Sequence, residues 1–282
     1  MTNLLKPVLL LGSGRTGSTL AMSILATSKD MVFNKTYPFE TRLLTYAAHL
    51  ASVTIRPSKD IENWSHSKLN LSELDLVGPI PFPIDNYIDR KQFQSSFFDA
   101  IWGALSDQMR SAENKPNASF YAEKSPNFLR EKMSQFTDVK SIQLIRDPRD
   151  ILLSTKSFNA KRGTLRFGWL EEDDDKSYAF RLIKRYQRVL KDVLEDKKKE
   201  LSLVIRYEDL IEKQEESIEL MSDWVGTRFT VPPARPNYLQ KHTTSVNVKK
   251  SVARWKTELD DEVVAMFKNE IPDLLDAFGY SV

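Results

Sequence analysis

Five short apolar runs punctuate the chain: Val8-Leu9-Leu10-Leu11, Met31-Val32-Phe33, Phe120-Tyr121-Ala122, Ser141–Ile145 and Leu201–Tyr207. Each is too short for a helix and ends at polar or turn-forming residues, as strands buried on both faces do. Between them apolar positions return at helical spacing. This predicts helices over Ser18–Thr27, Leu43–Ile55, Phe93–Arg110, Tyr178–Leu194, Ser217–Val225 and Asp261–Asn269. In the third of these, Phe97, Ile101, Leu105 and Met109 fall on one stripe and are expected in the core. Asp147-Pro148 directly follows a strand, and a capping Asp before a Pro at the first helical position predicts a further helix. Strands alternating with helices indicate an α/β protein with a parallel sheet. The polar stretch Asn63–Arg90, with Pro79, Pro81 and Pro83, reads as an irregular insertion, and Pro232–Val248 as an irregular tail. The acidic run Glu171–Asp175 and Lys197-Lys198-Lys199 read as solvated faces. No internal repeat and no Gly/Ser-rich linker divides the chain, so residues 1–282 are read as a single domain.

The first run leads into the most informative stretch. Gly12, Gly14 and Gly17 turn the chain tightly, and Ser18 and Thr19 open the helix that follows. A strand turning through glycines into a helix start is a phosphate cradle: the backbone approaches an anion closely and free N–H groups point at it. Arg15 sets a positive charge at the tip. The spacing of Gly12, Gly14 and Gly17 matches a dinucleotide fingerprint, but Glu40 lies too far along, after Pro38, to be its ribose acid. Gly12–Thr19 also has P-loop spacing, except that Ser18 stands where the phosphate lysine belongs.

Ligands of open parallel sheets bind beyond the carboxyl ends of the strands. Gly12–Thr19, Glu123–Ser125, Arg146 and Tyr207-Glu208 all fall at predicted strand ends. Ser154 lies two helical turns after Asp147, so it returns to the face of the helix start. Arg146 and Ser154 thus offer a second phosphate grip.

Composition narrows this only a little. The formal charge of +2 gives no polybasic footprint, so nucleic acid is not the expected partner. The chain has no cysteine, which excludes disulfides and thiolate metal sites and fits a cytoplasmic protein. No apolar run approaches the ~20 residues of a membrane span. The opening MTNLLKPVLLLGSG has some signal-peptide character, but Pro7 splits it and its second half runs into the glycine turn, so it is read as the first core strand.

Taken in order, GSGRTGSTL, KSP, LIRDPRDILLSTKSF, VIRYEDL and SVARWKTEL resemble the motifs of the sulfotransferases that use 3′-phosphoadenosine 5′-phosphosulfate (PAPS). The resemblance covers Val8 to Leu259. It implies a P-loop-like parallel β-sheet with helices on both faces, and residues 43–110 as an acceptor-side insertion. It also implies that Gly14, Arg15, Thr16, Gly17, Ser18 and Thr19 hold the 5′-phosphosulfate and that Arg146 and Ser154 hold the 3′-phosphate. Tyr207 would lie by the adenine, and Lys249, Lys250 and Arg254 would close on the nucleotide. Where many cytosolic members carry a lysine at the loop tip this chain has Arg15, as the tyrosylprotein and several bacterial carbohydrate sulfotransferases do. The physical reading agrees: PAPS has two phosphate clusters and the sequence offers two grips. A Mg²⁺-dependent kinase would need the loop lysine and an acidic strand end, where this chain has Ser18, Arg146 and Tyr207.

None of His49, His66 and His242 sits in a convincing motif for the base. Glu40, in Phe39-Glu40-Thr41-Arg42, resembles the glutamate of the tyrosylprotein enzymes and is the expected base; the alternative is a solvated carboxylate beside Arg42. Lys124 is expected to neutralise the leaving phosphate or the sulfuryl oxygens. The expected reaction is sulfuryl transfer from PAPS to a hydroxyl of a carbohydrate, lipid or small molecule, releasing adenosine 3′,5′-bisphosphate, without a metal. The competing readings are a divergent nucleotide kinase and a non-catalytic nucleotide-binding protein.

Overall fold

The structure, a computed structural model, describes residues 4–35, 39–53, 89–233 and 249–281. Most of the expected insertion (63–88) and tail (234–248), with His66 and His242, lies outside the described residues. Among the described residues, five strands form one parallel sheet flanked by helices. They are β1 (Lys6–Gly12), β2 (Met31–Val32), β3 (Phe120–Ser125), β4 (Lys140–Ile145) and β5 (Leu203–Arg206), hydrogen-bonded in the order β2-β3-β1-β4-β5. Met31 stands opposite Phe120, and Ile142 to Ile145 stand opposite Leu203 to Arg206. The leucines of β1 are fully buried, as an unbroken apolar run requires. β1 turns through the glycines into α1 (Ser18–Leu25).

The chain divides into two compact units, Met1–Val8 with Lys29–Val139, and Leu9–Ser28 with Lys140–Val282. In the first, β2 and β3 are accompanied by α2 (Leu43–Val53), α3 (Arg90–Ala112) and α4 (Phe128–Met133). Asp89 caps α3 by accepting from the amides of Lys91 and Gln92. The buried stripe of α3 is one residue off the expected one. Phe98, Trp102, Ser106 and Arg110 are buried, whereas Phe97 is exposed and Ile101, Leu105 and Met109 only flank the core. The reason is that polar side chains serve the strand ends. Trp102 Nε1 donates to Leu5 O at 2.7 Å, Ser106 Oγ accepts from Leu5 N, and Arg110 Nε donates to Ala118 O.

In the second unit β4 leads into α5 (Pro148–Arg162), followed by α6 (Asp175–Lys198). After β5 come α7 (Tyr207–Glu212) and α8 (Gln214–Val225). A 3-10 turn (Lys249–Ser251) precedes α9 (Trp255–Glu258), α10 (Asp261–Glu270) and α11 (Pro272–Ala277). Asp147 caps α5 and Pro148 opens it, as expected. α6 carries the core on Tyr178, Leu182, Tyr186, Leu190 and Val193, packed with Phe267 and Leu275 of the last helices. The acidic run is not simply a solvated face. Asp174 caps α6, Asp175 pairs with Lys156 and Asp173 with Arg181.

Candidate functional site

In the second unit the ends of β1, β4 and β5 bring the cradle residues together. α1 starts at Gly17, whose φ of +89° only glycine adopts easily, with no side-chain cap and no acidic residue in its first turn. Its N-terminal amides therefore have no competing carboxylate beside them, the arrangement that suits an anion. A Cβ on Gly17 would lie 2.3 Å from the Tyr207 ring, and one on Gly14 would lie 2.4 Å from the Phe167 ring. Both glycines thus make room for aromatic rings as well as for a bent backbone. Thr16 is buried and its hydroxyl donates to Ser13 O at 2.7 Å, bracing the loop.

The two grips that the sequence separates are joined. Arg15 Nε donates to Ser154 Oγ at 3.0 Å, and its guanidinium lies 4.7 Å from the Phe158 ring centre. Arg146 is buried; its Nη atoms donate to Arg15 O (3.0 Å) and Ser251 O (2.7 Å), and it stacks on Tyr207 at 4.4 Å. Its Nε is a buried donor with no hydrogen-bond partner. Tyr207 opens α7, one residue past the strand to which the sequence assigned it, and its hydroxyl lies 2.6 Å from Ser251 Oγ. Of the late basic segment, Lys249 and Lys250 are exposed, whereas Arg254 is held by Glu258 through two nitrogens and by Ser157.

A carboxylate network, missed in the sequence, supports this arrangement. Asp150 accepts from the amides of Ala253 (2.7 Å) and Trp255 (3.0 Å). Burial pushes its pKa up to about 6, against the opposing pull of Arg146 and these amides. Arg149 is fully buried, forks onto Asp147, donates to Ser281 O and lies 3.6 Å from the Trp255 ring centre. Glu208 accepts from Asp147 N and from the Tyr280 hydroxyl, and burial raises its pKa as well. The signal lies in RDPRD itself, where Arg146 and Asp147 are assigned a grip and a cap but Arg149 and Asp150 are assigned nothing.

In the first unit Lys124 Nζ lies 2.5 Å from Glu40 Oε1, so two of the expected catalytic residues form an ion pair. Lys124, and not Arg42, is the cation seen with Glu40. The loop carrying Glu40 is anchored by Glu123 at the end of β3. The hydroxyls of Tyr121 and Thr41 both turn to Glu123 Oε2 (2.9 and 3.2 Å), the Leu44 amide follows at 3.4 Å, and Ser125 donates to Oε1. Burial raises the Glu123 pKa even against these donors. The backbone amide of Lys124 also donates to Phe39 O. His49 lies exposed on α2.

With this geometry in place, likeness to known proteins is informative. A family model described as Sulfotransferase family matches residues 7–231. No curated protein sequence matches the chain significantly. The sulfotransferase domain from the Synechococcus PCC 7002 olefin synthase is similar over 99% of this chain and 97% of its own, at 19% identity and a TM-score of 0.54. Sulfotransferase STF9 from Mycobacterium avium is similar over 99% of this chain and 78% of its own, at 12% identity and a TM-score of 0.46. Retinol dehydratase in a complex with retinol and PAP gives 14% identity and a TM-score of 0.47, over 99% of this chain and 84% of its own. At 19% identity the likeness to the olefin synthase domain is one of fold.

Proposed function

Since the chain belongs to the sulfotransferase family, we propose that it moves a sulfuryl group from PAPS to a hydroxyl of a carbohydrate, lipid or small-molecule acceptor, releasing adenosine 3′,5′-bisphosphate. The observation that carries the reading is the meeting of Arg15, Ser154 and Arg146 beside the uncapped start of α1. The donor set fits a nucleotide with two separate phosphates. The helix amides and Arg15 suit the 5′ group, Ser154 and Arg146 suit the 3′ group, and the buried Arg146 Nε lacks an acceptor. The Tyr207 ring, already stacked on a guanidinium, is the proposed neighbour of the base. Lys249 and Lys250 are proposed to approach from the exposed 3-10 turn. Arg254 is proposed to do so only by exchanging Glu258 for the nucleotide.

PAPS supplies an activated sulfuryl group, whose departure leaves negative charge on the 5′-phosphate. Arg15, Gly14 to Thr19 and the α1 N-terminus are proposed to neutralise that charge. Glu40 is proposed to take the acceptor's proton, with Lys124 orienting its carboxylate. Ser18 in place of the loop lysine, together with family membership, disfavours a nucleotide kinase.

The test is calorimetry without Mg²⁺. Adenosine 3′,5′-bisphosphate is expected to bind more tightly than AMP by about 1.5–3 kcal/mol, the contribution of charge-assisted contacts to the second phosphate. Equal affinities would refute the reading, and tight Mg²⁺-dependent ATP binding would replace it by the kinase.

A further inference from the structure

The loop that follows α5 has no role in the reading above, yet it reaches back to the tip of the cradle. Gly163 ends α5, and the chain then places Phe167 against Gly14 so closely that any side chain at Gly14 would overlap its ring. Phe158, on α5, meets Phe167 edge-on at 5.4 Å between ring centres. The Arg15 guanidinium carbon lies 4.7 Å from the first ring centre and 5.9 Å from the second, both within cation–π range. Arg15 itself has a φ of +71°, a costly conformation for a side chain with a Cβ.

The rings are held there at a cost that core packing alone does not explain. Phe167 has a φ of +60° and Gly168 follows at +81°. A non-glycine residue in this region persists only when its surroundings over-determine it. They do: Asn159 brackets Arg166 by accepting from its amide and donating to its carbonyl, and Phe167 O accepts from the Tyr178 hydroxyl and from Arg185 Nη1. Yet both phenylalanine rings stay partly exposed, so little of the core depends on them.

We propose that Phe158 and Phe167 are positioning residues, an aromatic cage that fixes the Arg15 guanidinium at the cradle tip for the anionic nucleotide. The cage sets the plane of the guanidinium while Ser154 sets its in-plane direction through Nε. This rests on the nucleotide reading above, and deepens it by assigning the segment that orients its principal cation.

The experiment measures affinity for adenosine 3′,5′-bisphosphate by calorimetry on the full chain, with melting temperature recorded alongside. Phe158→Leu and Phe167→Leu are each expected to weaken binding by about 3- to 10-fold. In an Arg15→Met background the same changes are expected to alter affinity by less than about 2-fold, because the cation they orient is gone. Phe158→Tyr, which keeps the ring face, is expected to retain wild-type affinity. Equal losses in both backgrounds, or failure of the tyrosine to restore binding, would show a merely structural role and overturn the cage. A wild-type protein without affinity for the bisphosphate would instead overturn the nucleotide reading, and the cage with it.

Discussion

Replacing Gly17 by alanine tests the cradle at its narrowest point. The backbone there has a φ of +89°, so any Cβ adds about 1–2 kcal/mol of strain. The new methyl would also lie 2.3 and 2.8 Å from Tyr207 Cδ2 and Cε2, too close for any relaxation short of moving the ring. Moving it loosens the hydroxyl contact with Ser251 (2.6 Å), a loss of about 0.5–1.5 kcal/mol, and the stacking on Arg146, about 0.5–2 kcal/mol. Gly17→Ala is therefore expected to destabilise the protein by about 2–5 kcal/mol. Tyr207→Ala alone should cost about 3–5 kcal/mol as a buried aromatic truncation. Once the ring is gone the clash with it is gone too, and the backbone strain of about 1–2 kcal/mol is left to add. Urea denaturation of both single variants and the double variant gives the coupling, expected at about 1–3 kcal/mol. Additivity within about 0.5 kcal/mol would mean that Gly17 and Tyr207 do not constrain each other, and the contact would be discarded.

Other outcomes follow from the same network. The folded protein raises the Asp150 pKa to about 6, so it binds that proton more tightly than the unfolded chain does. The stabilising contribution of this group is thus complete below the unfolded value near 3.9 and is lost as pH rises through about 6, a span of roughly 3 kcal/mol. Asp150→Asn should flatten the fall in stability across that window, as urea midpoints at pH 4 and 6.5 would reveal; an unchanged slope would remove Asp150 as its source. Glu40→Gln should slow sulfuryl transfer by about 10²–10⁴ while leaving bisphosphate affinity within about 2-fold, and an unaltered rate would dismiss Glu40 as the base. Glu123→Ala removes the buried acceptor shared by the hydroxyls of Tyr121, Thr41 and Ser125 and the Leu44 amide, and should lower stability by about 2–4 kcal/mol, which thermal melts would register. A loss below about 0.5 kcal/mol would mean that Glu123 does not anchor the loop.

The strand ends were legible because the runs ending at Gly12, Ile145 and Arg206 are short and largely apolar, and a turn or a charge stops each abruptly. The Asp147-Pro148 helix start was legible because capping is local chemistry. The buried stripe of α3 was misplaced since Ser106 and Arg110 are polar, and hydrophobicity alone does not register a side chain buried to satisfy a distant carbonyl. Short helices such as α4 and α7 span under two turns and leave no periodicity to detect. Pairing partners were the least legible. Nothing near Arg15 in sequence points to Ser154 or Phe158, and nothing near Arg254 says that Glu258 occupies it beforehand. The bare Cα of Gly14 also makes way for the Phe167 ring, which nothing near Gly14 in sequence announces.

The joining of Arg15 to Ser154 and of Arg146 to Arg15 and Ser251 spans 139, 131 and 105 residues of chain. Arg149 reaches 132 residues forward to Ser281. Contacts of such separation are slow to close, because the loop entropy is spent before the contact returns any of it. The cradle is synthesised more than a hundred residues before its braces emerge from the ribosome. Refolding followed by nucleotide fluorescence should therefore lag behind the recovery of helical circular dichroism, and a nascent chain stalled before residue 250 should show no nucleotide binding although its glycine loop is long finished. Until those braces arrive, the surfaces they cover stay open to aggregation.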